Sequence, residues 1–136
     1  MKQLVKPLIA ASAAAFVSVA AGQGYPAKPV RLVIGFAAGG GADILARMIA
    51  PRLGDTLGQT IVIDNRPGAG GNIGVEHVVK SAPDGYTLLM GFPGLATYPS
   101  LYAALAYDPL KDLLPVSLVG EVPNLLVVHP SVPADS

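Results

Sequence analysis

"VRLVIGFAAGGGADILARMIA", residues 30–50, decides the fold. "VRLVIGF" is rich in β-branched and aliphatic residues and follows Pro29, so it reads as a strand. The glycines at 39–41 end it, and Asp43 is expected to cap the helix that follows. Ile44, Leu45, Met48, Ile49, Leu53 and Leu57 recur at helical spacing and are expected to form the buried stripe. Pro51 lies inside this helix and should bend it, and Gly58 should stop it. "TIVIDN" (60–65) reads as a second strand, Asn72–Ala82 as a second helix after the turn cluster "RPGAGG", and "YTLLMG" (86–91) as a third strand. This β-α-β-α-β order implies a parallel sheet. Both glycine-rich loops then fall at the edge where strands end and helices begin, which is where open α/β sheets bind ligands.

Beyond residue 91 the pattern loosens. "GFPGLATYPSLYAALAYDPLKDL" reads as loop with a short helix near Ser100–Leu105. Two further strands are expected around 116–121 and 125–129. The chain stops at "SVPADS", which reads as a helix N-terminus with no helix after it, so the expectation is a fragment of something longer.

At the other end, Lys2 and Lys6 precede the apolar, Ala-rich run "PLIAASAAAFVSVAA" (7–21). This is the form of a secretory signal peptide cut near Ala21, and the run is short for a membrane span, which needs about 20 residues. The expectation is export to a Gram-negative periplasm. The sequence has 136 residues, 9 Lys+Arg against 9 Asp+Glu, and no cysteine. That bounds it to one domain at most, supplies no net positive field to attract a nucleic acid, and excludes disulfides and thiolate chemistry.

Neither glycine loop is a nucleotide motif. Residues 39–43 lack the Lys-Ser/Thr of a P-loop, and Gly39-x-Gly41 is followed by Ile44 where a dinucleotide fingerprint needs glycine. Asp64 does end the second strand where such folds keep a ribose-binding acid, so a dinucleotide binder or small secreted α/β enzyme is the alternative. "GAGGNIG" (68–74) carries Ile73 at the sixth position. What remains is physical: backbone N–H groups beside a helix N-terminus make an anion site without a basic side chain, which suits a carboxylate. On this reading a Cβ at Gly40 would block approach to the backbone and strain a positive φ. The competing reading is that the glycines only make tight turns. His77 and His129 have no partner at metal-ligand spacing, Ser81, Ser100 and Ser117 lack a nucleophile setting, and Tyr98, Tyr102 and Tyr107 are expected to pack rather than to meet a ligand.

With those residues in view, the chain resembles a known family. The combination of Y-P-x-K-P, G-G-G-x-D, N-R-P-G-A-G-G-N-I-G and D-G-Y-T-L-L over residues 25–136 is similar to the substrate-binding proteins of tripartite tricarboxylate transporters, the Bug-type periplasmic receptors. The resemblance implies an α/β fold: the parallel-sheet β-α-β-α-β core of a type II periplasmic-binding-protein (Venus-flytrap) fold, with an incomplete second domain. It implies a signal peptide at 1–21, a partial first lobe at 22–120, and hinge strands with the start of a second lobe at 121–136. It implies capture of a small carboxylate, membrane components of the transporter as partners, no catalysis and no cofactor. Carried onto this sequence, the ligand-binding positions are Phe36, Ala37, Gly39, Gly40, Gly41, Ala42 and Asp43 in the first loop, Gly70, Gly71 and Asn72 in the second, and Gly91 and Thr97 in the third. The sequence departs from the family at Ala38 and Ala42, which usually read Pro and Thr, and in the third loop, where Ala96, Thr97 and Tyr98 replace the usual His and Asn.

Overall fold

The structure is a computed structural model, and it describes residues 24–121, 123, 125, 127–129 and 131–133. The expected signal peptide lies outside the described residues. Strand β1 (Val30–Ile34) is followed by helix α1 (Gly41–Leu57), strand β2 (Ile61–Asn65), helix α2 (Asn72–Val79), strand β3 (Thr87–Leu89) and a four-residue helix α3 (Tyr98–Leu101). The three strands make one sheet in the order β2-β1-β3, and both pairings are parallel. Val30 stands opposite Ile61, and Leu32 opposite both Ile63 and Leu88. The β-α-β-α-β reading therefore holds.

β1 is the middle strand and is covered on both faces, so it carries an almost unbroken apolar run. Val30, Val33 and Ile34 are fully buried, and each such side chain contributes roughly 1.5–3 kcal/mol by leaving water. Val30, Leu32, Ile34, Ile61, Leu88 and Met90 pack with Ala46 of α1 on one face. Leu89 turns to the other, where Val75 of α2 meets Tyr98 and Tyr107. The two long helices thus lie on opposite faces, and all three strand-to-helix loops emerge at one edge.

Helix α1 departs from expectation in two ways. Its N-cap is Gly40, in extended backbone (φ −74°, ψ 167°), so Asp43 sits in the first turn and is not the cap. Its buried stripe is Ala42, Leu45, Ala46, Ile49, Ala50, Leu53 and Leu57, while Ile44 and Met48 are exposed. Alanines at 42, 46 and 50 let the helix lie close to the sheet, and that rotates the larger side chains at 44 and 48 outward. Pro51 is accommodated inside the helix, and Gly58 ends it in left-handed backbone (φ 68°), its N–H donating to the Gly54 carbonyl.

The expected strands at 116–121 and 125–129 do not appear among the described residues. A strand needs a neighbour to satisfy its backbone, and here Val116, Leu118, Leu125 and Val127 remain exposed. The short helix falls at Tyr98–Leu101 instead of Ser100–Leu105, because Pro99 suits the first turn of a helix.

Candidate functional site

The loops at the carboxyl edge form a rim. The first runs from Gly35 to Gly40, the second from Arg66 to Gly71 and the third from Gly91 to Thr97. The first two touch through bare backbone: a Cβ built on Gly35 would stand 2.7 Å from the Gly71 carbonyl oxygen, and one on Gly74 would stand 2.9 Å from Gly35 Cα. Phe36 and Phe92 meet edge to face, centroids 4.8 Å apart, and so join the first loop to the third. Phe92 continues onto Tyr98 at 5.7 Å and Tyr98 onto Tyr102 at 5.2 Å, again edge to face.

In the first loop, Phe36, Ala37, Gly39, Gly40 and Gly41 are exposed on the rim. Gly39 is the residue with positive φ (84°); Gly40 is not, and its Cβ would stand an ordinary 3.4 Å from the Ala37 carbonyl. The strain expected at Gly40 therefore belongs to Gly39. Among the described residues nothing accepts from the N–H groups of Gly41, Ala42 and Asp43, the first three residues of α1. Such groups are the donors that a helix N-terminus leaves unsatisfied.

Asp43 is only 2% exposed and is consumed internally. One carboxylate oxygen accepts the Gly39 N–H at 2.8 Å and Arg47 Nε at 2.9 Å; the other accepts Asn65 Nδ2 at 3.1 Å. Asn65 Nδ2 also donates to the Phe36 carbonyl at 3.1 Å. The hydrogen bond from Arg47 first, then that from Gly39, holds the Asp43 carboxyl down at about 2, against the opposing cost of burial. Asp43 is therefore a brace for the loop, buried and with both carboxylate oxygens already engaged by the protein. Ala42 faces the α1 core.

The second loop is held from behind. Tyr98 donates its hydroxyl to the Gly70 carbonyl at 2.7 Å, and Tyr102 to that of Ala69 at 2.7 Å. Tyr107 donates to Asn72 Oδ1 at 2.5 Å, and burial pushes its phenol up to about 12. Gly71 is buried with φ 105°, beneath the Phe92 ring. The three tyrosines pack, as expected, but their hydroxyls also fix a loop. In the third loop Gly91 is open, and Thr97 turns its hydroxyl to the Gly94 carbonyl at 2.7 Å.

Sequence reasoning missed Asn65, Arg47, Gly35 and Phe92. Asn65 ends β2 one strand away from the first loop, and a polar residue at that place was the available signal. Asp64, the acid that suggested a ribose site, has one oxygen in ion pairs with Arg66 at 3.0 Å and Arg31 at 3.4 Å. It is a structural anchor of β2, which removes the main support for a dinucleotide binder.

A parallel α/β sheet whose three carboxyl-edge loops are pinned into one rim is the architecture of an open α/β ligand-binding domain. The solved structure of the periplasmic binding protein BugD matches 65% of this chain, and 29% of its own length, at 45% identity with a TM-score of 0.63. An R. palustris protein solved with adipate matches 63% of this chain and 29% of its own at 46% identity and a TM-score of 0.59. MatC from Rhodopseudomonas palustris, solved with malate, matches 70% and 33% at 40% identity and a TM-score of 0.60. Protein BugT of Bordetella pertussis is 47% identical over 114 residues, 82% of this chain and 35% of its own. The TctC model, described as the tripartite tricarboxylate transporter family receptor, matches residues 45–136, and the chain belongs to this family. It spans about a third of the length of the curated relatives it matches.

Proposed function

We propose that this chain forms the first lobe of a periplasmic receptor that captures a small carboxylate for a tripartite tricarboxylate transporter, without catalysis. On this reading the leader at 1–21 directs export, residues 22–120 make the lobe and 121–136 enter the hinge and second lobe. The membrane components of the transporter are its partners. The ligand carboxylate sits at the N-terminus of α1, facing the N–H groups of Gly41, Ala42 and Asp43. Phe36, Ala37, Gly39, Gly40, Gly70, Gly71, Asn72, Gly91 and Thr97 form the surrounding rim.

The observation that carries this reading is the set of three adjacent donors with no acceptor among the described residues. A carboxylate satisfies such donors by charge-assisted hydrogen bonds and is favoured by the helix dipole. The adipate and malate held by two solved relatives agree with the class of ligand. Thermal-shift titration with malate and adipate, each against its diamide, tests it. A ligand at 100 times its dissociation constant adds about 2.7 kcal/mol to the folded state. The expected outcome is much stronger stabilisation by the acids than by the amides; equal responses overturn the reading. Periplasmic fractionation with mass spectrometry tests export, and an intact Met1 in the cytoplasm overturns that part.

A further inference from the structure

The donors at the start of α1 share their helix turn with a buried anion. Asp43 holds a carboxylate in the first turn, where an incoming carboxylate would also be placed. Two like charges in one turn oppose binding unless one is neutralised. Arg47 stands one turn on, half-exposed, with its Nε on Asp43 and its terminal nitrogen 3.5 Å from Asn65 Oδ1. It lines the groove between α1 and the edge strand β2 beside Ala50 and Gly54.

We propose that Arg47 is a specificity-determining residue: by neutralising Asp43 from below the rim it lets the N-terminus of α1 accept an anionic ligand. This rests on the carboxylate-receptor reading above. Asp43 and Arg47 are then one device with two tasks. The carboxylate is needed to hold the Gly39 N–H and, through Asn65, the Phe36 carbonyl. The guanidinium cancels the charge that this brace would otherwise place beneath the ligand. Like charges roughly 6 Å apart at an effective dielectric near 20 repel enough to change affinity about a hundredfold, and salt screening leaves about tenfold or more. A neutral ligand feels none of this.

The test is the ratio of affinities for malate and its neutral diamide, measured by calorimetric titration of the purified chain. Loosening of the loop weakens both ligands alike, so only an electrostatic role moves the ratio. Arg47→Gln is expected to lower the malate preference about tenfold or more, and Arg47→Lys to retain it. Asp43→Asn, which leaves Arg47 positive, is expected to raise it, so the proposal stays testable if Arg47→Gln does not fold. A ratio unchanged in both Arg47→Gln and Asp43→Asn overturns the proposal while leaving the receptor reading intact. Equal affinity of the wild-type chain for malate and for its diamide overturns the receptor reading and the proposal with it.

Discussion

A Cβ on Gly41 would meet nothing within 4 Å, whereas one on Gly71 would stand 2.8 Å from Phe92 Cζ and 3.1 Å from the Tyr98 hydroxyl. The first loop is glycine-rich on its outer side, where backbone is presented to whatever approaches. In the second, Gly71 lies on the inner side, where backbone must fit beneath an aromatic ring. They are braced differently too. One anion, Asp43, gathers the first loop from inside its own helix, while three phenols from the third segment of the chain pin the second. Identical residue types thus serve presentation in one loop and packing in the other.

The strongest way to break this contrast is at the seam between the loops. Gly35→Ala puts a methyl against the Gly71 backbone, with no flexible side chain to yield. We expect a loss of about 1–3 kcal/mol, toward the upper end, in urea or thermal unfolding. An unchanged midpoint would mean that the loops do not touch as described.

The braces should next separate by pH. Asp43 titrates at about 2 when folded against 3.8 ordinarily, so its contribution is complete above 3.8 and is lost as pH falls toward 2. Tyr107 is raised from 10 to about 12, so its contribution is complete below 10 and is lost as pH rises toward 12. Acid should loosen the first loop and alkali the second, which the carbonyl-carbon NMR shifts of Phe36 and Gly70 can follow separately. Asp43→Asn should remove part of the acid limb. The rest persists through Asp84, held low by the Tyr86 N–H, and Asp108, held low by Lys111. Asparagine at 43 can keep the acceptor for the Gly39 N–H and Arg47 but turns its NH2 toward Asn65 Nδ2, so the brace is weakened without being lost.

Tyr98→Phe keeps the ring and removes the donor to the Gly70 carbonyl, at a cost of about 1 kcal/mol in thermal unfolding. The first loop should not respond. Smallest of all, Gly41→Ala should change stability by no more than about 0.5 kcal/mol, because the site is open and its φ is not positive. A loss beyond that would show that the first loop is packed like the second.

The parallel core was legible because apolar runs and glycine punctuation fall at the periods that strands and helices impose. Helix α1 shows where that reading stops. Hydrophobic spacing weighed Ile44 and Met48 above Ala42, Ala46 and Ala50, yet the close approach of helix to sheet selects the small residues. The rim was legible as a set of loops, but the roles within it were not. Asp43 reads as a cap until Asn65, 22 residues on, is seen to donate to it, and no local pattern carries that contact. The tyrosines read as packing because ring burial is a compositional signal and the direction of a hydroxyl is not. The strands expected at 116–121 and 125–129 do not appear among the described residues for another reason: a strand depends on a neighbour to pair with.

The sheet order has a consequence for how the chain is made. Its middle strand, Val30–Ile34, is synthesised before either neighbour, and it cannot pair until all of α1 and then β2 have followed. At ribosomal speed that wait is on the order of seconds, during which the most apolar segment of the sheet has no ladder partner. The second pairing comes later still, after α2. A nascent chain of this design stays sticky at its centre until late, and it is in that interval that a holding chaperone has most to bind.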